Sequence, residues 1–189
     1  MDSLKSDFDT LINLMNARRD IGNSGFEPVY YLIFHPSQIL TVKRHHSAWI
    51  SRLEQEGWDV HTFSISEQIL DILATDPRRK LWEQTEATGK ASDEKITESF
   101  ANAINAALPG RVEKALEKAA MSREGLLLLT DLEALHQYMR INTIEGLLTG
   151  KFKVPTVILY PGTRTGKSNL KFLGFYPADG NYRSVHVGG

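Results

Sequence analysis

The sequence contains no cysteine. Disulfide bonds and thiolate metal sites are therefore excluded, and the fold must stand without a covalent staple. With 189 residues it can do so, since a domain of this length buries about 70% of the surface that its unfolded chain exposes. Long apolar runs are missing as well. No stretch approaches the ~18 consecutive apolar residues of a membrane span. The opening residues, Met1-Asp2-Ser3-Leu4-Lys5-Ser6-Asp7, lack the basic start and apolar run of a signal peptide. Nor is there an excess of positive charge, because 22 basic side chains stand against 23 acidic ones. Proteins that grip nucleic acid draw affinity from neutralised phosphates and usually carry a basic surplus. Direct nucleic-acid binding is therefore not expected as the main task. Together these absences predict a cytoplasmic protein whose single domain spans residues 1–189.

What is present is an alternation of two periodicities. Leu4, Phe8, Leu11, Ile12 and Met15 recur at helical steps. Ile21 to Glu27, which holds Gly22, Asn23, Ser24 and Gly25, reads as a loop. Residues 29–34 (Val-Tyr-Tyr-Leu-Ile-Phe) form a continuous apolar run, as expected of a strand buried on both faces. Pro36 then opens a helix with Val42, His46, Trp49 and Leu53 on one face, ending at Gly57. A strand is expected over residues 60–64, followed by a helix capped by Ser64 and Glu67. Residues 75–92 are polar and read as an insertion or mobile connection. Ile96, Phe100, Ile104 and Leu108 step by four in a helix that Pro109-Gly110 is expected to interrupt, with Val112, Leu116 and Ala119 continuing beyond. Residues 126–129, four leucines, are a further buried strand, and the Thr130/Glu133 spacing predicts a helix directly after it. A short helix near Asn142 and Glu145 is expected to stop at Gly150. Residues 154–160 form the fourth strong strand, followed by a Gly-rich loop and two shorter strands over 170–175 and 182–187. Strands separated by amphipathic helices imply βαβ units. The predicted fold is a Rossmann-like, three-layer α/β/α domain with a mostly parallel sheet and an antiparallel C-terminal edge hairpin.

One segment mimics a catalytic motif. Residues 162–168, Gly-Thr-Arg-Thr-Gly-Lys-Ser, end like a phosphate-binding loop. Such a loop needs four residues between its glycines, so that successive amides wrap the phosphates. Here there are three, and the position five before Gly166, where the first glycine would stand, is Pro161, which has no amide hydrogen. The following residues, Leu170-Lys171-Phe172-Leu173-Gly174-Phe175, look like strand, so the helix N-terminus that should face the anion is not expected. A nucleotide-binding or NTP-hydrolysing use of this loop is the alternative reading; an anion or partner contact through Arg164 and Lys167 is another. No His-Glu-x-x-His or Gly-x-Ser-x-Gly pattern occurs, so no catalytic residue, metal site or cofactor is expected. Asp131, just after a strand, is read as a favourable acid in a first helical turn.

Three groups of residues taken together resemble the BrxB family of BREX (bacteriophage exclusion) systems. The first is Tyr160-Pro161-Gly162-Thr163 with Gly166, Ser168, Leu170, Leu173-Gly174 and Asn181-Tyr182-Arg183. The second is Leu128-Leu129-Thr130 with Leu135, Tyr138, Arg140 and Leu147. The third is Arg44-His45 with Ala48-Trp49 and Leu53. Arg164-Thr165 stands where relatives commonly carry Tyr-Asp, and Lys167 where glutamine is usual. The resemblance implies a non-enzymatic adaptor in an anti-phage system whose methylation and ATP use belong to other components. Its implied partner is a PglZ-type protein with an alkaline-phosphatase-like domain. Candidate partner- or anion-binding residues are Arg140, Tyr160, Gly162, Arg164, Lys167 and Arg183, because Tyr and Arg are typical interface anchors.

Overall fold

A computed structural model describes residues 2–21, 27–89, 92–166, 168–180 and 183–189. Strands β1 (Val29–Phe34), β3 (Gly125–Thr130) and the first part of β4 (Thr156–Thr165) are the centre of the molecule. Every residue of β1 and β3 is buried. A strand apolar on both faces is stable only when both faces are covered, and a parallel sheet with helices on each side provides that cover. The sheet runs β2-β3-β4-β1-β7, with every neighbouring pair parallel. Here β2 is Asp59–Ser64 and β7 is Val185–Gly188.

The side chains of alternate strand residues divide the apolar interior in two. Tyr30, Leu32, Phe34, Leu126, Leu128, Val157 and Leu159 meet α1 (Asp2–Ile21) and α2 (Ile39–Gln55) through Phe8, Leu11, Met15, Trp49 and Leu53. Tyr31, Ile33, Leu127, Leu129, Ile158 and Tyr160 meet α3 (Ile65–Thr75), α5 (Asp93–Ala119) and α6 (Ile141–Leu147) on the other face. From β1 the chain travels to the far edge at β2 with α2 on one face. It returns through β3 and β4 to β7 with its connections on the opposite face. Reversing direction while changing face keeps every crossover of one hand, which the twist of parallel strands demands.

Three expectations are corrected. Residues 75–92 carry helix α4 (Arg79–Thr88), which ends at Gly89 in the left-handed conformation (φ 60°). Its anchor is Trp82, buried edge-on against Phe100 (ring centroids 4.8 Å apart), with its indole N–H donating to Ser99 Oγ at 2.8 Å. Helix α5 is not interrupted but runs through Pro109. Proline removes the bond that its nitrogen would make to Asn105, yet Ile104, Leu108, Val112 and Leu116 are fully or nearly fully buried on either side and hold one axis. The segment after β3 is a 3-10 turn, Leu132–Leu135, rather than a capped helix. The Thr130 hydroxyl donates to the Asp131 carboxylate (2.9 Å), and Asp131 itself turns left-handed (φ 58°). Of the loop expected over Ile21–Glu27, Ile21 is instead the last residue of α1, and residues 22–26 lie outside the described residues.

The C-terminal part also differs in detail. Strand β4 continues through Pro161 and Gly162 to Thr165, where a Gly-rich loop was expected. Its pairing with β3 ends at Leu129↔Ile158, and the Pro161 nitrogen faces the side that β3 has left, so proline removes no bond to β3. The extension pairs antiparallel with β5 (Asn169–Phe172), and β5 with β6 (Ala178–Gly180). The antiparallel C-terminal strands are thus present. The last strand, β7, stays outside that ribbon and lies parallel to β1.

The packing of α4 makes a direct prediction. Trp82→Ala should lower unfolding stability by about 3 kcal/mol, since it empties a filled site and frees Ser99. Leu81→Ala on the same helix, at a side chain 60% exposed, should change it by less than about 0.5 kcal/mol. Urea denaturation of both variants measures the contrast.

Candidate functional site

Open α/β sheets place functional groups beyond the carboxyl ends of their strands. In this chain the end of β3, the end of β5 and the turn after Leu135 meet there. Arg140 occupies the N-cap position of α6, and its guanidinium lies over the Tyr176 ring, 3.4 Å from the centroid. Tyr176 tilts against Phe175 (4.5 Å), stacks on Phe172 (5.8 Å) and packs edge-on to His136 (5.6 Å). The Tyr176 hydroxyl pairs with His136 Nδ1 at 2.6 Å and accepts from the backbone N–H of Gln137 at 3.4 Å. Phe175 ends this stack with 65% of its surface exposed. No carboxylate pairs with Arg140 among the described residues.

The backbone is constrained at the same edge. Among the described residues, the non-glycine residues with positive φ are Asp131, Gln137 (φ 71°) and Leu173 (φ 53°). For glutamine and leucine this conformation is unfavourable and persists only where the surroundings impose it. At Leu173 they do: its N–H donates to Pro161 O at 2.9 Å, and Gly174 and Tyr176 close the turn onto Lys171 and Phe172. Phe175 is therefore presented by a fixed turn.

The described candidate residues separate into four places. Arg140 and Tyr160 line one small cleft with Tyr31, Phe172 and Asp179. Tyr160 is 3% exposed. Burial raises its phenol well above the ordinary value; the Asp179 charge adds to this and Arg140 opposes it. The hydroxyl therefore stays protonated and is unsuited to act as a base. Arg183 is exposed and donates to Thr149 Oγ1 at 3.2 Å, at the rim of an adjoining groove of about 220 Å³ shared with Glu27, Asn142 and Glu145. Inside the fold, Tyr31 donates to Glu145 at 2.6 Å. Gly162 is buried under the ribbon, where a Cβ would lie 2.4 Å from Lys171 O and 2.5 Å from the Tyr160 ring. Arg164 lies at the opposite sheet edge and donates to the His186 carbonyl at 3.4 Å. Lys167 lies outside the described residues.

The turn that mimics a phosphate loop has another context. Residues Gly162 to Thr165 are laddered to Phe172 through Asn169, and strand β5 follows the Gly-Lys-Ser triplet. The helix N-terminus that a phosphate cradle requires is not present here among the described residues. Among the described residues no group of three His, Asp or Glu side chains could hold a metal ion. No described helix is long and apolar enough to cross a membrane. On α2, Arg52 pairs with Glu56 at 3.0 Å, and Lys43 reaches two carboxylates, leaving Arg44 as an exposed cation without an ion pair among the described residues.

Those carboxylates belong to a polar junction at the ends of β2 and β3. Lys43 Nζ lies 2.7 Å from Asp131 Oδ1 and 2.7 Å from Glu133 Oε1. Asp131 Oδ2 accepts from Ser64 Oγ at 2.7 Å and from Thr130 Oγ1. Burial pushes the Asp131 carboxyl up, but the bonds from Lys43, Ser64 and Thr130 together outweigh it, and the net shift is downward. His46 beside them is lowered, chiefly by burial, despite the pull of Asp131 and Glu133. Asp131 is thus neither a first-turn helical acid nor a free ligand group; it ties α2, β2 and β3 together.

Sequence reading passed over His136, Gln137, Phe175 and Tyr176. The available signal was local: two adjacent aromatics between Gly174 and Pro177, a composition suited to an exposed turn rather than a core strand.

Residues 61–187, well over half of the chain, match the family BrxB, described as BREX protein BrxB. No curated protein and no solved structure matches the chain.

The junction makes a pH prediction. A carboxylate whose pKa is depressed on folding contributes stability above its unfolded value and loses it as pH falls through the folded value. Asparagine tolerates left-handed φ, so Asp131→Asn removes the charge and keeps the turn. At pH 7 the variant should be less stable by about 1–2 kcal/mol. Its deficit relative to the parent should shrink as the pH drops below about 4. Urea midpoints across that range test both statements.

Proposed function

The chain belongs to the BrxB family and is a BrxB component of a BREX phage-defence system, and from that premise we propose that it is a non-catalytic adaptor whose Arg140–Tyr176–Phe175 face docks a PglZ-type protein. The observation that supports this reading is the exposure of Phe175 on a fixed turn. A large aromatic held rigid and left open to water resembles a binding anchor, because covering it gains hydrophobic free energy with little side-chain entropy to lose. Burying its exposed part would contribute about 2–3 kcal/mol. Arg140 adds directionality. Its face is taken by Tyr176 and its Nη1 donates to the Met139 carbonyl at 3.3 Å, and in this reading its other N–H groups take a partner carboxylate.

Membership of a BREX system implies other BREX components. Methylation and ATP use fall to those components in this reading, and this chain's contribution is positional. A cytoplasmic site of action follows from a system directed at phage DNA.

The test is co-elution of the chain with the PglZ-type protein of the same genome in size-exclusion chromatography. A joint peak is expected. Phe175→Ala and Arg140→Ala should each weaken the complex about tenfold or more, with the melting temperature of the free chain nearly unchanged. Leu81→Ala, at an exposed apolar residue far along the chain on α4, should not weaken it. Separate peaks for the parent proteins, or unaltered affinity in both face variants, would sink the proposal, as would steady ATP hydrolysis by the chain alone.

A further inference from the structure

The two edges of the sheet are treated differently. At β7 the edge strand has four residues, and Gly188 leaves it in the left-handed conformation (φ 78°). In its parallel ladder with β1, the backbone groups of His186 face outward, and the Arg164 guanidinium donates to that carbonyl. A charged side chain folded over an edge is a known means of blocking further strand addition.

At β2 no such device is present among the described residues. The strand is six residues long and pairs with β3 along its whole length, Asp59↔Gly125 to Ser64↔Thr130, without a bulge. It contains no proline, lysine or arginine, and Val60, Thr62 and Phe63 favour extended structure. The Asp59 N–H donates to Glu124 O at 2.8 Å, so Asp59, His61 and Phe63 direct their backbone groups to β3. Val60 and Thr62 therefore turn theirs outward, and no bond to these groups is present among the described residues. Its one acid, Asp59, faces His61 on the same strand at 3.3 Å.

We infer that β2 pairs antiparallel with β2 of a second copy of this chain across a twofold axis at His61, joining two sheets into one. The strand is complementary to itself in that register. The N–H and C=O of Val60 meet those of Thr62 in the other copy, and the reverse, so every outward group named above finds a partner. Asp59 comes opposite Phe63 rather than a second acid, and the like-charge contact that would disfavour pairing is avoided. A twofold pairing of one strand with itself is closed, so it stops at two copies rather than growing into a filament. The inference rests on the sheet edge alone and stands apart from the docking face of Arg140 and Phe175.

The register makes a sharp test possible because the chain has no cysteine of its own. His61 would face its own copy in a non-hydrogen-bonded pair, with Cα atoms about 4.5 Å apart, within disulfide reach. Asp59 would lie about 13 Å along the strand from its copy, out of reach. Light-scattering mass should be twice that of one chain at high concentration. Under mild oxidant His61→Cys should be converted almost wholly to a reducible dimer, and Asp59→Cys should not. Thr62→Pro removes an outward N–H that β3 does not use and should return the mass to that of one chain. Monomer at every concentration together with no cross-linking of His61→Cys would overturn the inference. So would a dimer that survives Thr62→Pro and leaves His61→Cys uncross-linked, because the contact would then lie elsewhere.

Discussion

Three strands of this chain are apolar on both faces, and they cannot exist in water unless each face is covered. Most of the architecture follows from that constraint. It calls for helices on both sides of the sheet, and it forces the chain to change face when it changes direction. It also gives the ribbon of β5 and β6 its place, since Leu170 and Phe172 help close the face over Tyr31 and Tyr160. The same requirement removes glycine's alternatives at position 162, where strand and ribbon approach too closely for a side chain.

Much of this could be read from residue order. Continuous apolar runs identified β1, β3 and β4, and helical spacing identified α1, α2 and α3, because both patterns are local consequences of burial. The failures share a cause. Trp82 looked like one aromatic in a polar stretch, since Ser99 and Phe100, which hold it, lie well beyond it in sequence. Pro109 looked like a break, because the buried residues that carry the helix through it are known only once the sheet is in place. Thr130 and Glu133 had the spacing of a capping pair, but Asp131 competes for the Thr130 hydroxyl with help from Ser64 and Lys43. A local rule loses when a distant charge offers a better partner.

The site was less legible than the fold. Arg140 was visible as a residue of interest, but its meaning depends on Tyr176, thirty-odd positions later, which gives the guanidinium a flat surface to lie on. Arg140, Tyr160 and Arg183 come to neighbouring positions, while Arg164 is carried to the other edge of the sheet and guards β7. Strand alternation and crossover order decide such separations. Spacing along the chain does not report them.

The position of β1 has a consequence for how the protein is made. Both neighbours of this strand, β4 and β7, lie more than a hundred residues after it in sequence. During synthesis Val29–Phe34 therefore waits, unpaired on both edges, until more than a hundred further residues have left the ribosome. Contacts of such long sequence separation form slowly, and an uncovered apolar strand is what holdase chaperones bind and what aggregates if they do not. A nascent chain with this topology is exposed throughout that interval, and its yield in the cell will depend on protection during it as much as on the stability of the finished fold.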